Sequence, residues 1–209
     1  MKVLAGLLVL VLGGVGCARI YRPVAVATST LRTRGPQLAA HLERQPWGDN
    51  SRYEARAQKA RLEVLALTLE NGTQAQVDVL QVEVPSGISR LTPAEALALV
   101  RQWPLAYVPY VAVPVAAAAM SSGYEGLAYA ALGVIGLLIA VPNAIVANLS
   151  NERLESFFQA EAWSPGTLHP GEVRVGLLFL RRPSPSPSLL LRIEHRVNGV
   201  VQHLEVPGP

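Results

Sequence analysis

The sequence contains a single cysteine, Cys17, among its 209 residues. With no second cysteine, the chain cannot form an internal disulfide, so packing of side chains has to stabilise its fold. Charged residues are also scarce, at 16% of the chain, and the net charge of +3 comes from scattered arginines rather than a basic run. Because nucleic-acid binding usually needs a clustered basic patch, no nucleic-acid partner is expected.

Motifs of catalysis and cofactor binding are missing from the sequence as well. It has no G-x-S-x-G elbow, no P-loop and no dinucleotide-binding fingerprint. A metal site needs several ligands at close spacing, whereas the four histidines are dispersed at His41, His169, His195 and His203. We therefore expect no catalytic, metal-binding or cofactor-binding residue, and we expect that the protein is not an enzyme.

The first residues of the chain have the pattern of a signal peptide. Lys2 provides a positive start, residues 3 to 12 form an apolar core, and glycines follow. This stretch is shorter than the roughly 20 residues that a spanning helix requires. The pattern predicts a signal peptide over residues 1–16.

The four residues Gly14-Val15-Gly16-Cys17 resemble the lipobox of bacterial lipoproteins. The resemblance implies that Cys17 becomes the lipidated first residue of the mature protein and binds membrane lipid through its acyl chains. It also implies a location in the bacterial cell envelope, membrane-anchored, with the rest of the chain extracytoplasmic. The alternative is a cysteine that happens to follow an ordinary signal peptide or an uncleaved anchor.

Apolar residues are concentrated in residues 104–149, which predict a helical hairpin. No charged residue occurs from 102 to 124 or from 126 to 151, and the turn-like segment "SSGYEG" lies between the two runs. The second run is long enough to cross a hydrocarbon core of about 30 Å. The first run has a proline every five residues, so only residues 115–120 are expected to be regularly helical.

Two interpretations of this hairpin remain open, with residues 105–147 either in the membrane or covered by protein, in a core or an oligomer interface. Small residues would allow two helices to approach closely in either case. They are Gly126, Ala130, Gly133 and Gly136. With Cys17 outside the cytoplasmic membrane, the tip of a spanning hairpin would face the cytoplasm, yet it carries Glu125 and neither lysine nor arginine.

Strand patterns flank the hairpin on both sides. Before it, an apolar run over residues 62–69 leads to the turn signal Asn71-Gly72 and to a second run over residues 75–84. The alternation of that second run changes phase after Val79, which predicts a β-bulge. Thr92 and Glu95 then form the pattern of a capping box at the start of a short helix.

The last strands predict a β-hairpin whose register can be tested within the sequence. If Asn198-Gly199 is a two-residue turn, the numbers of opposed residues sum to 397. One face then pairs apolar residues only, and the other pairs Arg192 with Glu205 and Glu194 with His203. His195 and His203 fall on opposite faces, which excludes a metal site shared by these two histidines.

Together these patterns predict a mainly β fold, an immunoglobulin-like β-sandwich interrupted by the inserted apolar hairpin. The layout, with its strand "PGEVRVGLLF", is loosely similar to small uncharacterised envelope lipoproteins of bacteria. The expected organisation is a signal peptide, a lipidated tether with irregular or short helical structure, a first strand group with a short helix, the hairpin, and a second strand group. The corresponding boundaries are 1–16, 17–60, 61–103, 104–149 and 150–209.

The sequence leaves two functional hypotheses. The first is a lipid-anchored envelope protein that acts as a structural or interaction module, with an unidentified envelope protein or a second copy of itself as partner. The second is a membrane-perturbing or pore-forming component that acts through the apolar hairpin. Neither of these two hypotheses involves catalysis; a third alternative, a hydrolase with a non-obvious site, would need a pocket that holds convergent polar groups from separate segments.

Overall fold

A computed structural model describes residues 17–28, 37–183 and 188–209. The predicted signal peptide, with the first three lipobox residues, lies outside the described residues, as do the prolines and serines at 184–187. The helices and strands follow one another along the chain in this order: β1 (Leu38–Arg44), α1 (Ser51–Ala60), β2 (Leu62–Asn71), β3 (Val77–Glu83), β4 (Ser89–Leu91), α2 (Pro93–Val100), a 3-10 helix (Pro104–Tyr107), α3 (Pro109–Met120), α4 (Gly123–Glu161), β5 (Gly166–Leu168), β6 (Val173–Arg181), β7 (Leu190–Val197) and β8 (Val200–Pro207).

The described chain divides into two compact units. The first, called the hairpin unit, comprises residues 17–21 and 101–153. The second, called the sheet unit, comprises the described parts of residues 22–100 and 154–209. The long helix α4 contributes its residues up to Arg153 to the hairpin unit and the rest to the sheet unit.

The sheet unit contains two four-stranded antiparallel sheets, with strand orders β1-β2-β6-β4 and β5-β3-β7-β8. Both sheets contribute to one hydrophobic core. Strand β2 supplies Leu65, Leu67 and Leu69, while Val79 of β3 and Ile193 of β7 come from the other sheet. Because each of these side chains is almost fully removed from water, this core is the main source of stability of the unit.

The predicted mainly β fold is wrong. The chain is 40% helical and 31% strand, and its two sheets do not clearly form a sandwich, so the immunoglobulin-like assignment is wrong as well. The alternating patterns identify the strands, but the helical fraction of the chain is underestimated. Much of the helix lies in the hairpin, where the regularly spaced prolines argue against a helix. Pro104 and Pro109 instead begin helices, at positions where a missing N–H leaves no hydrogen bond unmade.

The segment predicted as an irregular tether is also more regular than expected. Strand β1 pairs with β2, although its sequence "LAAHLER" lacks clear alternation. Helix α1 begins at Ser51, with Asn50 at its N-cap position. The Asn50 side chain is used elsewhere, since its Nδ2 donates hydrogen bonds to the carbonyl oxygens of Arg22 and Trp47.

Several local predictions are confirmed. The β7–β8 hairpin has the predicted register, with Val197 opposite Val200 and Ile193 opposite Leu204. Strand β3 is bulged between Val79 and Gln81, where the alternation changes phase. The capping box also forms: the Thr92 backbone N–H donates to the Glu95 carboxylate at 2.8 Å, and the Glu95 N–H donates to the Thr92 hydroxyl at 3.2 Å.

Candidate functional site

The two arms of the apolar hairpin pack against each other through a narrow stripe of small residues on α4. A Cβ added to Gly136 would collide with the backbone oxygen of Tyr110, and one added to Gly133 would touch Val115. The predicted close approach of two helices is therefore present within a single chain. Ala130, predicted to belong to the same stripe, is exposed instead.

The rest of the hairpin surface is apolar and exposed on several sides of α4. Leu138, near the middle of the helix, is 71% exposed. Two helical stretches, Pro93–Met120 and Gly123–Glu161, are long and apolar enough to cross a membrane, and less than a quarter of the most apolar window in each is buried. These stretches support association of the protein with a membrane. The large exposed apolar residues of α4 are Leu127, Val134, Ile135, Leu137, Leu138, Val141, Ile145 and Leu149.

The chain that follows Cys17 is held against α4 by polar side chains. The Ala18 N–H donates to Asn143 Oδ1 at 2.6 Å, and Asn143 Nδ2 donates to the Ile139 carbonyl oxygen at 2.7 Å. About two helical turns beyond Asn143, the Ser150 hydroxyl donates to the carbonyl oxygen of Arg19 at 2.8 Å. The N–H of Tyr21 in turn donates to the Ser150 oxygen at 3.1 Å.

Gln102 completes this arrangement from the start of the other arm. Its Nε2 donates to the Arg19 carbonyl oxygen at 2.7 Å, and its own backbone is paired with the Asn151 side chain through two hydrogen bonds of 2.8 Å. Gln102 and Ser150 are buried. We call the set Gln102, Asn143, Ser150 and Asn151 the polar clamp, because it holds residues 18–21 beside the hairpin through the N–H groups of Ala18 and Tyr21 and the carbonyl oxygen of Arg19.

The clamp determines where Cys17 lies. Cys17 is exposed and directly precedes Ala18, so it lies at the level of Asn143 on α4. The sequence pattern predicts a role for Cys17 but does not predict the polar clamp. The signal that could have revealed it is the occurrence of polar residues at regular helical spacing, Asn143 and Ser150 seven residues apart, at the end of an apolar run.

The two ends of the hairpin differ in chemistry from its middle. At the tip, Met120 is 89% and Tyr124 93% exposed, and the turn also carries Ser122 and the carboxylate of Glu125. At the base, the Arg101 guanidinium lies 5.2 Å from the centre of the exposed Trp103 ring. Tryptophan and arginine with an apolar body and a polar head are typical of membrane–water boundaries.

The sheet unit contains an ionic cluster beside a cavity of about 560 Å³. Glu63 accepts hydrogen bonds from Arg182 at 2.7 Å and from Arg44 at 2.9 Å. Burial by itself would raise the pKa of Glu63, but the two arginines outweigh it, so the pKa lies below its usual value. The carboxylate is thus ionised and committed to its arginines, which makes it a structural group rather than an acid or base for catalysis.

The histidines do not form a metal site. Among the residues that the structure describes, no group of three or more His, Cys, Asp or Glu side chains could hold a metal ion. His195 is buried, and its Nδ1 has no hydrogen-bond partner within the described chain, whereas His203 on the neighbouring strand is exposed. As predicted, the register places these two residues on opposite faces of the sheet.

Comparison of the chain with protein-family models, with curated proteins and with solved structures finds no match. The function is therefore argued from the residues and their geometry. The feature that differs most from an ordinary globular surface is the exposed apolar hairpin, with the chain after Cys17 clamped to its side.

Proposed function

We propose that this protein is a lipid-anchored component of the bacterial cell envelope, whose hairpin lies in the bilayer while the sheet unit serves outside the cytoplasm as a structural or interaction module. The observation that carries the proposal is the exposure of large aliphatic side chains around α4. A soluble protein rarely exposes so large a continuous apolar surface. The lipobox-like residues before Cys17 provide a second, independent reason for membrane attachment.

The packing of the small residues favours lipid over a second copy of the chain as the cover of the hairpin. Helices that associate in membranes use small residues to bring their backbones close together. In this protein Gly133 and Gly136 already face α3 of the same chain, so they are not available to another molecule. The large aliphatic side chains that remain exposed on α4 are Leu, Ile and Val, which face lipid tails favourably, with small residues such as Ala130 between them.

The composition of the hairpin favours an anchor over a pore. A water-filled pore needs a polar lining, but no charged residue occurs from 126 to 151 of the chain. We therefore expect the purified protein to leave a dye trapped inside liposomes at all protein concentrations. Leakage that increases with protein concentration would contradict the anchor and support a pore-forming role.

The membrane proposal is tested by separating the two attachments. Wild-type protein should incorporate labelled palmitate, and Cys17→Ser should not. When Cys17→Ser is exported by an ordinary cleavable signal, the hairpin should still keep it in the membrane pellet after an alkaline carbonate wash. Recovery of this variant in the soluble fraction as a monodisperse particle would show that protein, rather than lipid, covers the hairpin.

A matched pair of substitutions sharpens this test. Val134→Arg places a charge at an exposed position of α4, midway between Tyr124 and Asn143, where insertion into lipid should become less favourable by about 3 kcal/mol. In the Cys17→Ser background this change should release much of the protein from the pellet. Val201→Arg makes the same change at an exposed position of the sheet unit and should leave the distribution unaltered. Equal behaviour of the two variants would argue against a lipid-facing α4.

A further inference from the structure

We infer that the hairpin crosses the whole hydrocarbon layer and exposes its tip, residues 121–125, on the side of the membrane opposite to Cys17. This inference rests on the proposed function, since it assumes that Cys17 is acylated and that the hairpin is in lipid. It adds a topology, because an anchored hairpin could instead lie along the surface or enter only one leaflet.

The polar clamp sets the depth at which the hairpin starts. Acyl chains on a cysteine enter the hydrocarbon from the headgroup boundary, so the cysteine itself marks that boundary. The Ala18 N–H bonds directly to Asn143, so the boundary lies near Asn143 on α4. Beyond this point, toward the base, come the buried polar groups of Gln102 and Ser150 and the charged residues at 152 and 153.

The length of the hairpin from this level matches the thickness of the hydrocarbon layer. The 20 residues from Tyr124 to Asn143 are helical and rise about 30 Å, which is the thickness of a typical hydrocarbon core. On the other arm, the 12 residues of α3 and the 4 residues of the 3-10 helix rise together about 26 Å. Both arms therefore reach the opposite boundary at the tip.

The tip has the chemistry of a boundary rather than of a bilayer centre. Ser121 and Ser122 are outside the helices, so their backbone polar groups are not fully paired by helical hydrogen bonds. Irregular backbone exposed to lipid is avoided because its unpaired polar groups have no water to bind. The Glu125 carboxyl group would also be unfavourable halfway across the layer, where it would have no water and no charged partner. A full crossing places the serines, Tyr124 and Glu125 among headgroups and water. The tip lacks the lysine or arginine that favours the cytoplasmic side, so the crossing is inferred from helix length and tip polarity and not from the charge rule.

The crossing can be tested with single cysteines and a maleimide that does not cross membranes. Full-length acylated protein is prepared as Ser122→Cys, which reports on the tip, and as Ser86→Cys, which reports on an exposed turn of the sheet unit. Each is reconstituted into vesicles of phosphatidylethanolamine and phosphatidylglycerol and labelled before and after detergent is added. Protein without an added cysteine measures any reaction of Cys17 itself.

In vesicles where nearly all of Ser86→Cys reacts before detergent, we expect Ser122→Cys to react only after it. Reaction of both variants from outside, with the protein still bound to the vesicles, would overturn the crossing while leaving membrane attachment in place. Failure of both variants to bind vesicles would overturn the proposed function together with the crossing. A third variant, Ala55→Cys on an exposed position of α1, would repeat the sheet-unit measurement if Ser86→Cys does not fold.

Discussion

The replacement Ile193→Asp tests the pairing on which the sheet unit depends. Ile193 lies on β7 between Val82 of β3 and Leu204 of β8, and its side chain is fully buried. Its neighbour Glu194 points to the other face, where its carboxylate accepts a hydrogen bond from the Gln81 amide at 2.8 Å near the protein surface. The two positions are adjacent in sequence and opposite in environment.

The expected cost of Ile193→Asp combines two effects. Removing a buried aliphatic side chain of this size costs about 2 to 5 kcal/mol. Placing a carboxyl group in the same apolar space, with no polar partner, adds about 2 kcal/mol or more even if the group is neutral. The total of at least about 4 kcal/mol is close to the whole stability of a marginally stable domain, about 5 kcal/mol. Glu194→Ala loses one exposed hydrogen bond and should cost less than about 1 kcal/mol.

Pulse proteolysis of the full-length protein in mild detergent, at increasing urea concentration, measures both variants under the same conditions. Ile193→Asp should be cleaved with little or no urea, and Glu194→Ala should be cleaved close to the wild-type midpoint. Ile193→Val provides a conservative control that should cost about 1 kcal/mol. Equal midpoints for Ile193→Asp and Glu194→Ala would refute the assignment of the buried face.

Two further predictions concern the ionic cluster and the hairpin. Glu63→Ala leaves the largely buried Arg182 without its carboxylate and should cost about 3 kcal/mol at pH 7 in the same proteolysis assay. The pKa of Glu63 is lower in the folded chain, so its contribution to the free energy of unfolding is fully present above its unfolded pKa of about 4.3 and is lost as the pH falls through the folded pKa. If the difference in stability between wild type and Glu63→Ala did not change with pH, this assignment would be contradicted. Gly136→Leu should push α4 away from Tyr110 and destabilise the helices by about 3 kcal/mol, seen as a lower melting midpoint by circular dichroism in detergent. The control Ala130→Leu, on the exposed face, should have little effect on this midpoint. Similar midpoints for the two variants would mean that the two arms do not touch at Gly136.

Predictions based on local patterns were confirmed where a short segment contains all the information. The β7–β8 register follows from a two-residue turn at Asn198 and from alternation on both strands, so distant residues hardly matter. The capping box of Thr92 and Glu95 spans four residues and forms for the same reason. In both cases the partners are close along the chain, so their contacts require little additional ordering.

The mainly β class was wrong because contacts with distant residues, which a local sequence pattern does not show, decide whether some segments become helix or strand. Pro114 lies inside α3, where its lack of an N–H is unfavourable, yet it is buried in the hairpin unit. The same limitation applies to β1, which has little strand pattern of its own and is a strand because β2 provides its hydrogen-bond partners.

The sequence alone determined the apolar character of the hairpin and the pairing of the last two strands, whereas the envelope location expected from the residues around Cys17 stays a prediction. Only the tertiary structure decided that Gly136 faces Tyr110, that Ala130 is exposed, and that Asn143 binds the backbone of Ala18. Asn143 and Ala18 are 125 residues apart, and nothing in either neighbourhood encodes the other. Composition and periodicity specify which residues avoid water, whereas the folded chain specifies which of them meet.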